Sequence, residues 1–322
     1  MKVLVTGGAG FIGSYLSEEL LKKGHRVHVV DNLSTGSVKN IKELMRNKRF
    51  RFTVGSILNR PLMAKSIKNA DIVFHLAAAV GVKYIIDNPL ESLRTNIEGT
   101  DIVLDCANRY GKKKVVIAST SEIYGKNMDS KASFSETDDR LLGPTTITRW
   151  SYSCAKALDE FMSLAYSREK KLPVVIIRFF NICGPRQTGR YGMVIPRFVQ
   201  QALLGHDITI YGDGKQTRSF THVKDAVKAI VKLSESKKAE GDVFNLGNPQ
   251  GITIKALALK IKKMLGSDSG VVYIPYEKAY EKGFEDMRHR RPSINKLVRT
   301  INFRPQHSIE DILADVIVYF KK

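Results

Sequence analysis

Two side chains spaced one helical turn apart could perform acid–base chemistry. Tyr152 and Lys156 begin a segment whose pattern predicts a helix from about Tyr152 to Ser167, so both side chains would project from one face. An ammonium beside a phenol lowers the pKa of the phenol and makes a tyrosinate available near neutral pH. Such a tyrosinate can remove a proton from a substrate hydroxyl while a hydride leaves the adjoining carbon. Because Tyr-x-x-x-Lys occurs by chance in many helices, the pair needs support from other segments.

Support comes from polar residues that follow a predicted strand, Lys114–Ala118. Open α/β sheets place their sites at the carboxyl ends of parallel strands. Thr120 lies there and would offer its hydroxyl to the same substrate oxygen as Tyr152. Glu122 stands two residues later as a candidate acid or base.

A glycine-rich turn near the start of the chain predicts what takes up the hydride. The β-branched run Val3–Val5 reads as a buried strand, and a helical pattern follows the glycines. Gly7 would make the tight turn, Gly10 would admit a pyrophosphate, and Gly13 would let the helix pack closely on the strand. Asp31 ends the next predicted strand, where its carboxylate can bind both adenosine ribose hydroxyls and repel a 2′-phosphate. We therefore predict an NAD site rather than an NADP site.

Alternating strand and helix patterns predict the fold that positions these groups. We expect an α/β protein with a Rossmann-type doubly wound parallel sheet and a smaller C-terminal α/β substrate-binding lobe. The expected division is 1–180 for the NAD-binding domain with the catalytic residues and 181–322 for the lobe, with the run Val243–Gly247 returning to the sheet. Further predicted elements are strands at Val27–Val30, Arg51–Val54, Asp71–Leu76 and Val174–Arg178, and helices at Pro89–Arg109, Ile254–Leu265 and Ile309–Phe320.

Composition excludes several other classes of protein. The 322 residues contain no apolar run of the roughly 20 residues that cross a bilayer and no signal peptide, so we expect a cytoplasmic protein without a membrane partner. The formal net charge of +20 raises the possibility of nucleic-acid binding, but the lysines are dispersed and lack interleaved aromatic residues. A basic surface also suits a nucleotide diphosphate sugar.

The cysteines lack metal-ligand spacing and are expected to be reduced and mostly buried, with no metal site: Cys106, Cys154 and Cys183.

The conjunction of these motifs resembles a known family over essentially the whole chain. It is similar to the extended short-chain dehydrogenase/reductases, specifically the NAD-dependent nucleotide-sugar epimerase/dehydratases. The segments that carry the resemblance are Thr6–Gly13, Asp31–Gly36, His75–Ala78, Tyr152 with Lys156, Arg178–Asn181 with Gly184–Arg186, and Tyr211–Gly214 with Gln216–Arg218.

With the resemblance added, we predict three groups of site residues. The catalytic residues are Thr120, Glu122, Tyr152 and Lys156. The cofactor-binding residues are Gly7, Gly10, Phe11, Ile12, Gly13, Asp31, Asn32, Ser34, Thr35, Gly36, Ser56, Ile57, Leu76, Ala77, Ala78, Asn96, Tyr152 and Lys156. The substrate-binding residues are Val82, Ser121, Asn181, Val194, Tyr211, Arg218 and Arg290.

Within the second group, Asn96 would shape the site behind the cofactor, and Ser56 departs from the acidic residue usual before the adenine contact. Within the third, Asn181 would hold the diphosphate, Arg218 and Arg290 would bind phosphate, and Tyr211 and the segment Val194–Phe198 would border the nucleobase. The resemblance also implies a homodimer formed through the helices at about Pro89–Arg109 and Tyr152–Ser167.

The resemblance implies oxidation of a sugar at C4 to a 4-keto intermediate. Glu122 stands where 4,6-dehydratases and UDP-glucuronate decarboxylases have a glutamate, so it could add chemistry at C5 or C6 of the UDP-linked hexose that the resemblance implies. Ser121 replaces the usual dehydratase Asp, which weakens a dTDP-glucose 4,6-dehydratase assignment; neighbouring segments resemble the UDP-N-acetylglucosamine 5,6-dehydratase of tunicamycin assembly. The alternatives are a plain 4-epimerase and a UDP-glucuronate decarboxylase in which Arg149 or Arg190 holds the C6 carboxylate.

A hypothesis of another class is a non-catalytic cofactor-binding protein that uses its basic surface on RNA. The simultaneous presence of Tyr152, Lys156 and Thr120 argues against it.

Overall fold

The computed structural model describes residues 1–126, 132–189, 193–279 and 287–321. A seven-stranded sheet forms its centre, with all neighbouring strands parallel and the order β11-β6-β5-β4-β1-β2-β3. These strands are β1 (Lys2–Thr6), β2 (Arg26–Asp31), β3 (Phe50–Val54), β4 (Ile72–His75), β5 (Lys114–Thr120), β6 (Val174–Phe179) and β11 (Asp242–Leu246). The remaining strands are β7 (Ile182–Cys183), β8 (Ile208–Tyr211), β9 (Thr217–Ser219), β10 (Thr221–His222), β12 (Gly251–Thr253), β13 (Val271–Ile274) and β14 (His289–Arg290).

Helices cover both faces of the central sheet. They are α1 (Phe11–Lys22), α2 (Arg60–Lys68), α3 (Val82–Asp87), α4 (Pro89–Arg109), α5 (Arg149–Lys170), α6 (Val194–Leu203), α7 (Val223–Glu235), α8 (Ile254–Leu265), α9 (Tyr276–Ala279), α10 (Asn295–Ile301) and α11 (Ile309–Phe320). Short 3₁₀ turns occur at Val38–Asn40, Leu44–Arg46, Ser121–Tyr124 and Lys237–Ala239. One core packs α1 and α7 against the sheet, and a second packs α2 and α4 against the opposite face. The predicted doubly wound α/β fold is confirmed.

A third core lies in the C-terminal part of the chain. It joins α6, α8 and α11 over the parallel pair β8 and β13. A small three-stranded sheet in the order β12-β9-β14 brings Arg218 and Arg290 into register on neighbouring strands. This lobe is not one continuous segment, because β11 pairs with β6 in the central sheet and α7 packs against α1.

Several sequence predictions can be compared directly with these elements. The helices α4, α8 and α11 have the predicted ends, whereas α5 begins at Arg149, three residues earlier than expected. The thiols of Cys106 and Cys183 are buried and that of Cys154 is exposed, in agreement with the prediction that most of them are buried. None of the described helices is both long enough and apolar enough to cross a membrane.

Candidate functional site

The glycine turn between β1 and α1 leaves no room for side chains. Gly7 has a φ of +71°, in the left-handed region that glycine adopts without strain. A Cβ on Gly13 would lie 2.3 Å from the carbonyl oxygen of Gly7, so only glycine lets the helix start this close to the strand. The start of α1 thereby presents its free backbone N–H groups to an open cavity, which fits the pyrophosphate of a dinucleotide.

Asp31 ends β2 beside this turn. Its carboxylate accepts hydrogen bonds from the backbone N–H groups of Ala9, at 2.9 Å, and Leu33, at 2.8 Å. Burial raises the pKa of Asp31, and these N–H donors oppose that shift. The carboxylate therefore braces the glycine turn and also lines the cavity, at the position expected for an adenosine ribose.

One cavity of about 790 Å³ runs from the glycine turn to the C-terminal lobe. Its wall contains most of the predicted site residues, which are otherwise far apart in the chain. They are Gly7, Gly10, Phe11, Ile12, Gly13, Asp31, Asn32, Ser34, Thr35, Ile57, Leu76, Ala77, Ala78, Thr120, Ser121, Glu122, Tyr152, Asn181, Val194, Tyr211, Arg218 and Arg290.

Two arginines meet the carboxylate of Glu122 in the middle of this cavity. Arg290 Nη1 donates to Glu122 Oε1, and Arg149 Nη2 lies 3.3 Å from Oε2. The second amino group of Arg290 donates to Asn181 Oδ1 at 2.9 Å. Burial alone would raise the pKa of Glu122, but the two guanidinium groups outweigh it and lower the pKa to about 2. Glu122 is therefore a carboxylate at neutral pH in the protein without bound ligands.

The Tyr152 hydroxyl forms a hydrogen bond with the side chain of Thr120. Burial, then the negative charges of Glu122 and Asp159, raise the pKa of Tyr152 well above its ordinary value. The expected lowering by Lys156 is absent; Lys156 Nζ donates to Asp159 Oδ2 at 2.7 Å, and the negative charge of that carboxylate contributes to the raised pKa of Tyr152. The sequence prediction of a lowered phenol pKa is therefore wrong for the protein without bound ligands.

The comparison with known proteins agrees with this geometry. A family model described as the NAD dependent epimerase/dehydratase family matches residues 3–247. The chain belongs to the NAD-dependent epimerase/dehydratase family. It is 44% identical over 322 residues to the UDP-N-acetyl-alpha-D-glucosaminuronate decarboxylase of Bacillus cytotoxicus, and the match covers 100% of this chain and 98% of that protein. It is 33% identical over 324 residues to the UDP-glucuronic acid decarboxylase 1 of Xenopus tropicalis, covering 100% and 72%.

Solved structures of family members have the same fold. The UDP-glucuronic acid 4-epimerase of Bacillus cereus, in complex with UDP-glucuronic acid and NAD, has a TM-score of 0.90 at 29% identity, covering 100% of this chain and 99% of that one. The UDP-glucose 4-epimerase of Thermotoga maritima, with UDP-glucose, has a TM-score of 0.89 at 32% identity, covering 100% and 99%. The predicted resemblance and NAD cofactor are confirmed: this chain is an NAD-dependent nucleotide-sugar enzyme.

Four residues that were predicted to contact the cofactor do not line the cavity. Gly36 lies behind Asp31, where a Cβ would come within 2.9 Å of the carboxylate. Ser56 Oγ accepts the N–H of Leu58 at 3.2 Å. The Asn96 amide is buried, bonded to both backbone groups of Ala79, and so supports the wall from behind, as expected. The fourth, Lys156, lies beneath the cavity floor with Asp159.

Two further residues named in the sequence analysis cannot be placed in the site. The side chain of Val82 and the whole of Arg190 lie outside the described residues.

The sequence analysis did not single out two side chains that bear on this site, although the first lies within the predicted segment Val194–Phe198. Arg197 on α6 lies with its guanidinium carbon 4.0 Å from the centre of the Tyr211 ring, in the cavity wall. Its signal was the basic residue one helical turn after Val194. Asp159 pairs with Lys156, and its signal was an acidic residue at the i+3 position of the same helix.

Proposed function

We propose that this enzyme is a decarboxylase of UDP-hexuronates that works through a 4-keto intermediate. The observation that carries the proposal is the guanidinium group of Arg149, which lies beside Glu122 in the wall of the cavity that Tyr152 also lines and is suited to bind a carboxylate. A carboxylate-bearing sugar needs such a site, whereas a dehydratase needs a protonated acid to expel the C6 hydroxyl. With its pKa lowered to about 2 by the two arginines, Glu122 is a carboxylate in the unliganded protein rather than such an acid.

Tyr152 and Thr120 would act at the C4 oxygen. Bound NAD would supply the hydride acceptor for C4, with the glycine turn at Gly7–Gly13 and Asp31 as the residues that would hold it. The Tyr152 phenol, once deprotonated, takes the proton of the C4 hydroxyl, and the hydroxyl of Thr120 steadies the same oxygen. The high pKa of Tyr152 makes its phenolate a strong base.

Arg149 is the group best suited to hold the C6 carboxylate. Its side chain is 6% exposed and lies beside Glu122. After C4 becomes a ketone, the C6 carboxylate is β to it, so the C5–C6 bond can break with its electrons delocalised onto the C4 oxygen. Carbon dioxide leaves, and C5 takes up a proton. Tyr152 and Thr120 hydrogen-bond the enolate oxygen during this step.

The part of the cavity lined by Asn181, Arg218 and Arg290 suits a nucleoside diphosphate. Arg290 and Asn181 are hydrogen-bonded to one another and would meet the diphosphate together. Arg218 lies on the neighbouring strand, and its Nη1 donates to the carbonyl oxygens of Thr217 and Met287, which fixes the guanidinium. Tyr211, with Arg197 over its ring, provides a flat surface for the base.

Mass spectrometry of products tests this function. The protein is incubated with UDP-glucuronate and UDP-N-acetylglucosaminuronate, and with UDP-glucose and UDP-N-acetylglucosamine as substrates without a carboxylate. Loss of carbon dioxide from a hexuronate is expected. Loss of water from a hexose, or a C4 epimer of unchanged mass, would contradict the proposal and establish a dehydratase or an epimerase.

A matched pair of variants tests the proposed role of Arg149. Arg149→Met should reduce kcat/KM for the hexuronate by at least about tenfold, because one charge-assisted contact is lost. Arg46→Met removes an exposed guanidinium remote from the cavity and should leave kcat/KM unchanged. Unaltered turnover in Arg149→Met would show that another group holds the carboxylate.

We also propose that the protein is a cytoplasmic homodimer that pairs through α4 and α5. Both helices carry large apolar side chains that are exposed in the single chain: Leu90 by 62%, Leu158 by 42% and Phe161 by 65%. Phe161→Glu should convert the dimer to a monomer in analytical ultracentrifugation. Leu204→Glu, at an equally exposed site on the C-terminal lobe, should not. A wild-type monomer would refute the dimer.

A further inference from the structure

A buried polar network joins the 3₁₀ turn that carries Glu122 to other segments of the fold. Glu160 on α5 accepts hydrogen bonds from Arg178 on β6, with Nη2–Oε2 at 2.7 Å and Nε–Oε1 at 3.0 Å, and their side chains are 7% and 8% exposed. Arg178 Nη1 donates to the Tyr124 hydroxyl at 2.8 Å, and that hydroxyl donates to Asn245 Oδ1 at 2.7 Å. We call Glu160, Arg178, Tyr124 and Asn245 the Arg178 network; these four side chains lie outside the cavity wall.

The direction of the hydrogen bonds in this network is fixed by its chemistry. A guanidinium group only donates, so the Tyr124 oxygen accepts from Arg178 and the Tyr124 proton must point to Asn245 Oδ1. The amide nitrogen of Asn245 then donates to the carbonyl oxygen of Phe134 at 3.0 Å. A buried network whose polar groups are all paired specifies one arrangement of the segments that it joins.

Two members of the network lie next to predicted catalytic residues. Ser119 Oγ donates to Glu160 Oε1, and Ser119 immediately precedes Thr120 at the end of β5. Tyr124 stands two residues after Glu122 in the same 3₁₀ turn. The positions of Thr120 and Glu122 therefore depend on the network through one or two residues of backbone.

The other end of the network reaches the strand that carries Arg290. Phe134 pairs with the chain after this strand: its N–H donates to the Arg291 carbonyl oxygen at 2.8 Å, and its own carbonyl oxygen accepts the Ser293 N–H at 2.7 Å. Arg291 directly follows Arg290, whose Nη1 donates to Glu122. The network is thus adjacent in the chain to both partners of the Glu122–Arg290 pair.

We propose that Arg178 is a positioning residue, which holds Glu122 and Arg290 in the relative positions that the reaction requires. The inference rests on the proposed function, in which Arg290 meets the diphosphate of the substrate. The N–H groups of Arg178 diverge in one plane to a carboxylate, a phenol and a backbone carbonyl oxygen. The single ammonium of a lysine cannot reach all three, so the charge alone does not suffice.

The first test compares Glu160→Gln with Asp225→Asn, which remove the charge of a buried carboxylate at two different places. Glu160→Gln should raise the Kd for UDP, measured by calorimetry, by about fivefold and lower kcat for the hexuronate by about tenfold, because both depend on groups that the network positions. The NADH Kd, measured by fluorescence, should stay within about twofold, since the network does not include the glycine turn or Asp31.

Asp225→Asn is the matched control. Asp225 is 0% exposed and accepts the backbone N–H groups of Gln306 and His307, both at 2.9 Å, so it secures the segment before α11 and does not line the cavity. This variant should lower Tm while leaving kcat and both dissociation constants as in the wild type.

Tyr124→Phe gives an independent measurement, because it cuts the network between Arg178 and Asn245 without removing a charge. The ring can still stack on Phe134, with centroids 4.7 Å apart. We expect the UDP Kd to rise by about threefold and the NADH Kd to stay unchanged. Arg178→Lys keeps the charge but loses the planar group, and should weaken UDP binding as Glu160→Gln does.

Three outcomes would overturn the proposal. The first is a folded Glu160→Gln that alters the UDP Kd and kcat no more than Asp225→Asn does. The second, if Glu160→Gln does not fold, is an unchanged UDP Kd in Tyr124→Phe. The third is an equal loss of UDP and NADH affinity, which would show a general loosening of the fold. A wild-type protein that binds UDP but releases no carbon dioxide from a UDP-hexuronate refutes the proposed function, whereas the two dissociation constants still decide the role of Arg178.

Discussion

The two sides of the cavity are built in different ways. On the cofactor side, defined by the glycine turn Gly7–Gly13 and by Asp31, backbone shape decides what fits, and the parts are close in sequence. On the substrate side, defined by Glu122, Arg149 and Arg290, charged side chains up to 168 residues apart meet around one carboxylate. Substitutions on the cofactor side should therefore act through steric fit, and their effects should change little with pH. Changes on the substrate side should act through charge and change with pH.

Two titratable groups within the cavity show the same contrast on a smaller scale. The arginines lower the pKa of Glu122 to about 2, while burial and neighbouring carboxylates raise the pKa of Tyr152. Environments that push two pKa values apart in this way commonly separate a charged group that binds from a group that transfers protons. We therefore expect the two residues to respond differently to substitution.

Tyr152→Phe should have the largest effect on turnover. It removes the hydroxyl that exchanges a proton with the C4 oxygen, and we expect kcat to fall by about 10³-fold with little change in Tm. Rates are measured with the hexuronate that proves to be the substrate. Tyr166→Phe removes a half-buried phenol hydroxyl from the same helix and serves as the control. A Tyr152→Phe enzyme that retains a tenth or more of the wild-type kcat would exclude the phenol as the base.

Glu122→Gln should lower the free energy of unfolding by an amount that depends on pH, because the Glu122 carboxylate stabilises the substrate side through its charge. The folded-state pKa of about 2 lies below the ordinary 4.5, so the carboxylate stabilises the fold fully above pH 4.5 and loses this effect as the pH falls towards 2. At pH 7 the variant should therefore be less stable by about 3 kcal/mol. Near pH 2 the difference should be small.

Urea unfolding of wild type and Glu122→Gln at several pH values measures this difference. Glu43→Gln removes a carboxylate from an exposed pair with Arg46 and should cost little at any pH. A difference for Glu122→Gln that is constant from pH 7 to the acid limit would mean that shape, rather than charge, holds this residue in place.

Gly13→Ala should disturb the cofactor side without a pH dependence. The new methyl would come within 2.3 Å of the Gly7 carbonyl oxygen, so α1 must move away from β1. We expect a loss of about 1–3 kcal/mol in stability and a rise of at least about tenfold in the NADH Kd. Gly266→Ala, where the methyl meets no atom within 4 Å but φ is +60°, gives the cost of backbone strain alone. Equal NADH affinity in Gly13→Ala and wild type would refute the steric argument.

The contrast between the two sides also explains what the sequence could predict. Local patterns determined the cofactor side: the spacing of Gly7, Gly10 and Gly13 defines a turn, and the hydrophobic period gave the ends of α4 as the structure has them. These features depend on residues that are neighbours in the chain, so no long-range information was needed.

The substrate side and the lysine environment depend on contacts between distant segments. No pattern in the sequence indicates that Arg290 reaches Glu122, because the contact depends on β14 pairing with β9 and on the position of the whole lobe. The pKa of Tyr152 was predicted wrongly for a similar reason. The spacing placed an ammonium one helical turn away, but the folded helix also brings Asp159 beside it, and the charge of that carboxylate contributes to the raised pKa of the phenol.

Ser56→Ala should have the smallest effect. It tests whether Ser56 belongs to the cofactor side, as the sequence predicted, or lies outside it, as the structure has it. Ser56 was predicted to contact the cofactor, yet its hydroxyl accepts the Leu58 N–H and the residue does not line the cavity, where Gly55 and Ile57 do. Loss of that local hydrogen bond should cost about 0.5–1 kcal/mol in urea unfolding and leave the NADH Kd unchanged. Weaker NADH binding in this variant would mean that the hydroxyl turns from Leu58 to the adenine when the dinucleotide binds, and that the cofactor side adapts to its ligand instead of being preformed.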